Sequence, residues 1–286
     1  MSITEPISEL ETAHTITAFS EPLAEHLLVR FIQDEIHKVG MKRAVLGLSG
    51  GIDSALVAYL AAKALGSENV LCVLMPYKSS SKDSLTDAKL VVDDLKTDSM
   101  TVEISPMVDA YFEKFPEASP LRRGNVMART RMITLYDLSM AHGALVLGTS
   151  NKTELLLGYG TIFGDLASAI NPIGDLYKTE VRALSGHMGV PESIIKKLPS
   201  ADLWVGQSDE ADLGFTYDEV DKLLIDLVDR RIHPEILIER GADEAFVRGV
   251  QEKIRRSQFK RRPPIVAKVS SRSTIHDFMY LRDWGY

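Results

Sequence analysis

Four short apolar runs recur along the first half of the chain: AVLGLS (44–49), VLCVLM (70–75), MTVEI (100–104) and ALVLG (144–148). Runs this short and this apolar suit strands covered on both faces. Helix-patterned segments lie between them, and that alternation predicts an α/β fold, a doubly wound parallel sheet with right-handed crossovers. Over residues 20–39, Leu23, Leu27, Phe31 and Leu28, Ile32, Ile36 form adjacent i, i+4 rows, with Ser20 a natural N-cap and Pro22 in the first turn. Leu56, Leu60 and Ala64 repeat with helical spacing up to Gly66, a natural C′ residue. Ser84 and Asp87 read as a capping box opening a helix near 85–96, and Ser105-Pro106 reads as another helix start. Residues 125–141 read as a long helix. Beyond 178 the pattern is helical, with a Thr216/Glu219 capping box and a last helix in DEAFVRGVQEKIRRSQF (243–259). The organisation predicted is a single domain over 1–286: an α/β core over 20–185, then a helical C-terminal extension and basic tail over 186–286.

Composition narrows the chemistry. A chain of 286 residues can bury about 75% of its unfolded surface, so a core needs no staples. Forty acidic against 33 basic residues give a net charge of −7, which argues against a general nucleic-acid binder. The lone Cys72 excludes an intrachain disulfide and any multi-thiolate zinc site, and reads as a buried small hydrophobe. The seven histidines show no HxxxH or HExxH spacing. The first 19 residues carry Glu5, Glu9 and Glu11 and no Lys or Arg, unlike a signal peptide. No stretch approaches the roughly 18 apolar residues of a membrane span. The expected location is therefore cytoplasmic, with no membrane and no nucleic-acid partner.

The segment Ser49-Gly50-Gly51-Ile52-Asp53-Ser54 joins a buried strand to a helix, where open parallel sheets bind ligands. Two glycines let backbone N–H groups approach an anion, and the helix N-terminus adds a favourable dipole. The loop matches neither GxxxxGK[ST] nor GxGxxG. Asp53 is the informative residue. At 4 Å and an effective dielectric of about 20, each carboxylate–phosphate pair costs roughly 4 kcal/mol. A bridging cation removes the conflict, and Mg2+ is the usual one. Gly148-Thr149-Ser150-Asn151-Lys152-Thr153-Glu154 follows another apolar run. If the two strands are neighbours, Asp53 and Glu154 converge and could hold one Mg2+ between them. The plainer readings are a tight turn with Asp53 as a helix-capping acid, and Glu154 as an acid favoured by a helix dipole.

GLSGGIDS (47–54) resembles the pyrophosphate loop of the ATP pyrophosphatases. GTSNKTELLLGYGTIFGDLASAINPIGDLYKTEVRAL (148–184) closely resembles the core of NAD synthetases. ARTRMITLYDLSMAHGALV (128–146) extends the match upstream; LPSADL (198–203) and KRRPP (260–264) extend it downstream. The resemblance spans roughly 40–265. It implies an adenine nucleotide α-hydrolase-like fold, a homodimer, Mg2+, and one reaction: deamido-NAD, ATP and ammonia giving NAD, AMP and pyrophosphate. It further implies that Gly47, Leu48, Ser49, Gly50, Gly51, Ile52, Asp53 and Ser54 bind ATP phosphates, with Thr149, Lys178 and Ser200 also on ATP. Asp53 and Glu154 would hold the metal. Asn125, Arg129, Asp165 and Lys260 would contact deamido-NAD, and Asp53, Lys178 and Asp165 would be the catalytic set.

In one place the chain departs from short ammonia-using members. Ile162 and Ala169 stand where those commonly carry a Lys and a second Asp, so YGTIFGDLASA resembles the synthetase part of larger glutamine-using enzymes. The expected nitrogen source is still free ammonia, because a glutaminase of that class needs a cysteine nucleophile and a few hundred further residues. A separate glutaminase partner stays open. Rival readings are another SGGxDS enzyme, such as a GMP-type or tRNA-modifying one, and a nucleotide sensor without turnover. QEKIRRSQFKRRPPIVAK (251–268) reads either as a solvated tail or as a phosphate-binding flap, and PYKSSSKDS (76–84) as a loop over ATP. Met127, Met132 and Met140 read as core or as a dimer contact.

Overall fold

The computed structural model describes residues 19–199, 209–262, 264–269 and 271. Its four strands are β1 (Arg43–Gly47), β2 (Val70–Leu74), β3 (Asp98–Thr101) and β4 (Ala144–Val146), all parallel, in the order β3-β2-β1-β4. From β1 the chain steps outward to β2 and β3, then returns to the other side of β1 for β4. That reversal opens a crevice at the carboxyl ends of β1 and β4, the switch point of the sheet.

Helices cover both faces. On one lie α1 (Glu21–Lys38), α2 (Ile52–Leu65), α3 (Lys82–Leu95) and α7 (Lys178–Met188); on the other lie α4 (Ser105–Phe112) and α5 (Pro120–His142). Strand alternation sorts the side chains: Ala44, Leu46, Val70, Cys72 and Leu74 pack with Ile32, Ile36, Val91 and Leu184. Val45, Leu71 and Val73 face Ile104, Val108, Phe112 and Met127. Helix α2 is apolar nearly all round and buried along most of its length. A third cluster joins α6 (Lys152–Leu157) to α10 (Tyr217–Leu224), α11 (Pro234–Glu239) and α12 (Glu244–Arg256), through Leu157, Tyr217, Leu224, Leu237 and Val250. Between them lie α8 (Glu192–Lys196) and α9 (Asp209–Leu213). Among the described residues no helix is long and apolar enough to cross a membrane.

Several boundaries differ from those read in the sequence, each for a visible reason. Helix α3 begins at Lys82, capped by the Ser81 hydroxyl, which accepts from the Asp83 amide. Ser84 and Asp87 are inside it and instead receive Lys197 Nζ at 3.2 and 2.7 Å. Helix α5 starts five residues early, at Pro120 behind a Ser119 cap; Gly124 in its interior hid that first turn. Strand β3 begins at Asp98 because an exposed edge strand needs no apolar side chains. Its pairing runs on through Val102 N and Ile104 N to the carbonyls of Leu74 and Pro76. Ser20 occupies the N-cap of α1 without a side-chain cap bond. The Thr216/Glu219 box and the start of α12 at an Asp243 cap are as the sequence indicates.

Candidate active site

The crevice widens into a cavity of about 890 Å³. The β1–α2 loop forms its floor with Gly47, Leu48, Ser49, Gly51, Ile52, Asp53 and Ser54, and the loop after β4 adds Gly148, Thr149 and Ser150. Ser49 and Ser54 brace the floor: the Ser54 hydroxyl donates to Gly51 O and accepts from Ser49 N. Gly50 turns away at φ +79°, its backbone against the Ser84 carbonyl, so it seats the loop on α3 and does not line the cavity. At Gly148 the close approach is by Ser168 and Asn171, whose side-chain atoms would lie 2.6 and 3.0 Å from a Cβ there.

Three helix starts bring charge together in the cavity. Asp53 comes from the first turn of α2, Glu154 from α6 and Lys178 from α7. Lys178 Nζ lies 2.5 Å from Asp53 Oδ2 and 3.6 Å from Glu154 Oε1. Asn151 caps α6 by accepting the Glu154 amide at 2.9 Å, and its Nδ2 donates to Asp53 Oδ1 at 2.9 Å. The Lys178 side chain is only 2% exposed. Its ammonium stays charged because Asp53, Glu154 and Asp209 surround it, outweighing the cost of burial. Glu154 moves the other way: desolvation and the nearby Asp53 charge push its carboxyl up, to about 8.

Sequence reasoning missed part of this cluster. Asp209, on α9, is 5% exposed and accepts from Tyr159 Oη at 2.9 Å and Tyr217 Oη at 3.3 Å. Burial raises its carboxyl as well. Tyr217 also lies beneath Lys178, whose Nζ is 5.1 Å from the ring centroid. No local motif marks these residues; Asp209 lines the cavity, and Tyr217 lies under Lys178, only because α9 and α10 fold back over α6.

Asn125, Thr161, Asp165 and Lys260 also line the cavity. Thr161 donates its hydroxyl to Asn125 Oδ1 at 2.9 Å and its amide to Asp165 Oδ1 at 2.8 Å. Lys260 Nζ donates to the carbonyls of Gly158 and Gly160 at 2.7 and 2.8 Å. Arg261 ties the end of α6 to α12 by donating to the Leu155 and Leu156 carbonyls and to that of Ile254. Lys260 and Arg261 of the basic segment are therefore docked on the end of α6. Arg129 is not among the residues lining the cavity; its guanidinium donates to Ile162 O at 3.4 Å. Arg131, unremarked in the sequence, does line it and donates to Met75 O at 3.1 Å. Leu198 and Pro199 line the cavity, whereas Ser200 lies outside the described residues. The three methionines of α5 divide: Met127 is core, Met132 lines the cavity and Met140 is exposed.

The donors present fit a magnesium ion. Mg2+ commonly takes one or two carboxylates and completes its shell with water and substrate phosphates. Asp53 and Glu154 are such a pair. Three carboxyls, Asp53, Glu154 and Asp209, against one ammonium also leave an excess of negative charge, which the raised Glu154 registers. Among the described residues no group of three or more His, Cys, Asp or Glu forms a metal cage.

An open parallel sheet with helices on both faces, and a charged cavity over a glycine-rich loop at its switch point, defines the class: an α/β protein that binds its ligand at the strand carboxyl ends. Within that class the chain belongs to the NAD synthase family, whose model matches residues 25–264. It is 58% identical over 263 residues to an NH(3)-dependent NAD(+) synthetase of Trichlorobacter lovleyi, covering 92% of this chain and 96% of the relative. The fold matches an NH3-dependent NAD synthetase of Campylobacter jejuni with a TM-score of 0.76 at 37% identity, over 87% of this chain and 100% of that one. It also matches a glutamine-dependent NAD+ synthetase of Acinetobacter baumannii, with a TM-score of 0.66 at 29% identity, over 93% of this chain but 50% of that one.

Proposed function

We propose that ATP and deamido-NAD meet in this cavity, with the Asp53–Glu154–Lys178 cluster handling the phosphates. The chain catalyses ATP-dependent amidation of deamido-NAD to NAD with ammonia, releasing AMP and pyrophosphate. The nicotinate carboxylate attacks the α-phosphorus of ATP, and ammonia then displaces AMP from the adenylate. Such chemistry asks for positioning and charge neutralisation and needs no protein nucleophile. The β1–α2 loop offers N–H groups and two hydroxyls to the phosphates. Thr149 and Ser200 are assigned to ATP. Lys178, fixed by its carboxylate partners, offsets the charge that grows on departing pyrophosphate. Asp53 and Glu154 would hold Mg2+, which when bound neutralises the triphosphate. Asn125, Asp165 and Lys260 form the dinucleotide end, with Arg129 supporting it through Ile162. The observation that carries the assignment is the convergence of Asp53, Glu154 and Lys178, from three helices, at the switch-point cavity.

Residues 20–185 act as the nucleotide-binding core and 186–286 as its extension within one synthetase unit, a reading supported by the apolar cluster joining α6 to α10–α12. The protein works as a cytosolic homodimer. The exposed apolar side chains Met107, Tyr111 and Phe115, and Ile133, Tyr136 and Met140 on α5, offer apolar surface to a second copy. The test is pyrophosphate release by the purified full chain with ATP, Mg2+ and ammonium chloride. Release should depend on deamido-NAD, and nicotinate mononucleotide should substitute poorly. ATP turnover indifferent to deamido-NAD would overturn the reading.

A further inference from the structure

Asp221 is 1% exposed on α10, one helical turn after Tyr217, and does not line the cavity. Its two carboxylate oxygens accept from two different helices. Oδ1 takes the Thr153 hydroxyl at 2.6 Å, and Oδ2 takes the Thr179 amide at 2.8 Å. Thr153 Oγ1 in turn accepts the Lys178 amide at 3.0 Å. The three bonds close a ring that ties the first turn of α6 to the first turn of α7. Thr153 is the residue before Glu154, and Thr179 is the residue after Lys178. The ring therefore grips the immediate neighbours of the two groups whose charges meet 3.6 Å apart in the cavity.

We propose that Asp221 is a positioning residue for the reaction: through Thr153 and Thr179 it sets the register of α7 against α6, and so the separation of Lys178 from Glu154 and Asp53. An apolar contact at this place would hold α10 against both helices but leave them free to slide. A carboxylate bonded at both oxygens fixes direction as well as distance. Burying that carboxylate is unfavourable, since desolvation disfavours its charge; the donated bonds and the N-terminal dipole of α7 offset part of that cost. Tyr217 and Asp221 are spaced i, i+4, so one face of α10 both lies under Lys178 and holds its backbone. The C-terminal helices thereby enter the site without touching a reacting atom.

The inference rests on the reading that this cluster serves ATP, and the experiment separates the two. The full-length variants are Asp221→Asn, Thr153→Val and Thr153→Ser. The asparagine would turn an NH2 toward one of the two donors. The valine removes the Thr153 hydroxyl at constant shape, and the serine keeps it. In Asp221→Asn and Thr153→Val, kcat for deamido-NAD-dependent pyrophosphate release should fall about 30-fold or more, as a displacement near 1 Å can cost that much. The KM for deamido-NAD should change less than about 3-fold, because none of the three bonds involves Asn125, Asp165 or Lys260. Thr153→Ser should stay within about 3-fold of wild type. Hydrogen exchange on the ligand-free chain gives a readout independent of turnover: protection should drop in peptides covering 151–157 and 177–184 and hold in α2 and α5. Wild-type kcat in folded Asp221→Asn and Thr153→Val would overturn the proposal. So would equal losses in Thr153→Ser and Thr153→Val, or failure of both Asp221→Asn and Thr153→Val to fold, which would make the ring a structural staple only. An inactive wild-type chain would instead fail the functional reading, and positioning for catalysis with it.

Discussion

Without a bound cation, the Glu154 carboxyl shares a single ammonium with Asp53 and Asp209. The folded protein keeps the Glu154 proton up to about 8, whereas an unperturbed glutamate releases it near 4.5. Between those values the unfolded chain binds fewer protons than the folded one, so stability falls as pH rises. The protonated group's contribution is complete below the lower value and gone above the upper. With chelator and no nucleotide, the thermal midpoint of the wild-type protein should drop more steeply between about pH 5 and pH 8 than that of Glu154→Gln. Parallel curves would show that Glu154 does not hold the excess charge. The same variant, and Asp53→Asn, should lose pyrophosphate release by about 100-fold or more, since several kcal/mol of charge stabilisation goes with the metal. Wild-type-like release by both would remove the shared-metal assignment.

Among the elements, the β1–α2 loop depends on its seat on α3. A Cβ at Gly50 would sit 2.1 Å from the Ser84 carbonyl oxygen, at a φ of +79°. Gly50→Ala therefore combines a left-handed backbone penalty of roughly 1–2 kcal/mol with displacement of the first turn of α3. Gly40, in the α1–β1 turn, has a similar φ of +75° with open space around it. Both alanine variants should lower the thermal midpoint, by about 2–4 °C for each kcal/mol lost. Only Gly50→Ala should also raise the KM for ATP, by about 10-fold or more. Equal ATP KM values in the two variants would mean that the loop is not held in place by α3.

At the scale of the whole molecule the question is the nitrogen donor. The 158–170 segment resembles the glutamine-using branch, yet a close relative covered over 96% of its own length carries the NH(3)-dependent name. A cysteine nucleophile is not offered by Cys72: it is fully buried in β2, and burial pushes its thiol up to about 11. The purified chain should make NAD from ammonium chloride and not from ammonia-free glutamine. NH3 and not NH4+ carries the lone pair, so at limiting total ammonium the rate should climb as pH rises toward the ammonium pKa. Robust synthesis from glutamine by the chain alone would overturn this. Glutamine activity that appears only with a second protein would place the glutaminase on a partner.

The alternation of apolar strands and helices was enough to specify a parallel sheet covered on both faces, because burial on two faces leaves a pattern in each strand taken singly. The SGGIDS loop and Glu154 were legible for a similar reason: the glycines, the capping acids and the phosphate-facing hydroxyls are all close in sequence. Lys178 and Asp165 came through family resemblance, not through any local rule. The start of the edge strand at Asp98 and the first turn of α5 escaped, since an exposed edge and a glycine inside a helix carry little periodic signal. Ser84 and Asp87, a capping box by spacing, became partners of Lys197, 110 or more residues away. Asp209, Tyr159, Tyr217 and Asp221 were invisible for the same reason. What each does depends on which other helix it meets, and only the folding of α9 and α10 back over α6 and α7 decides that.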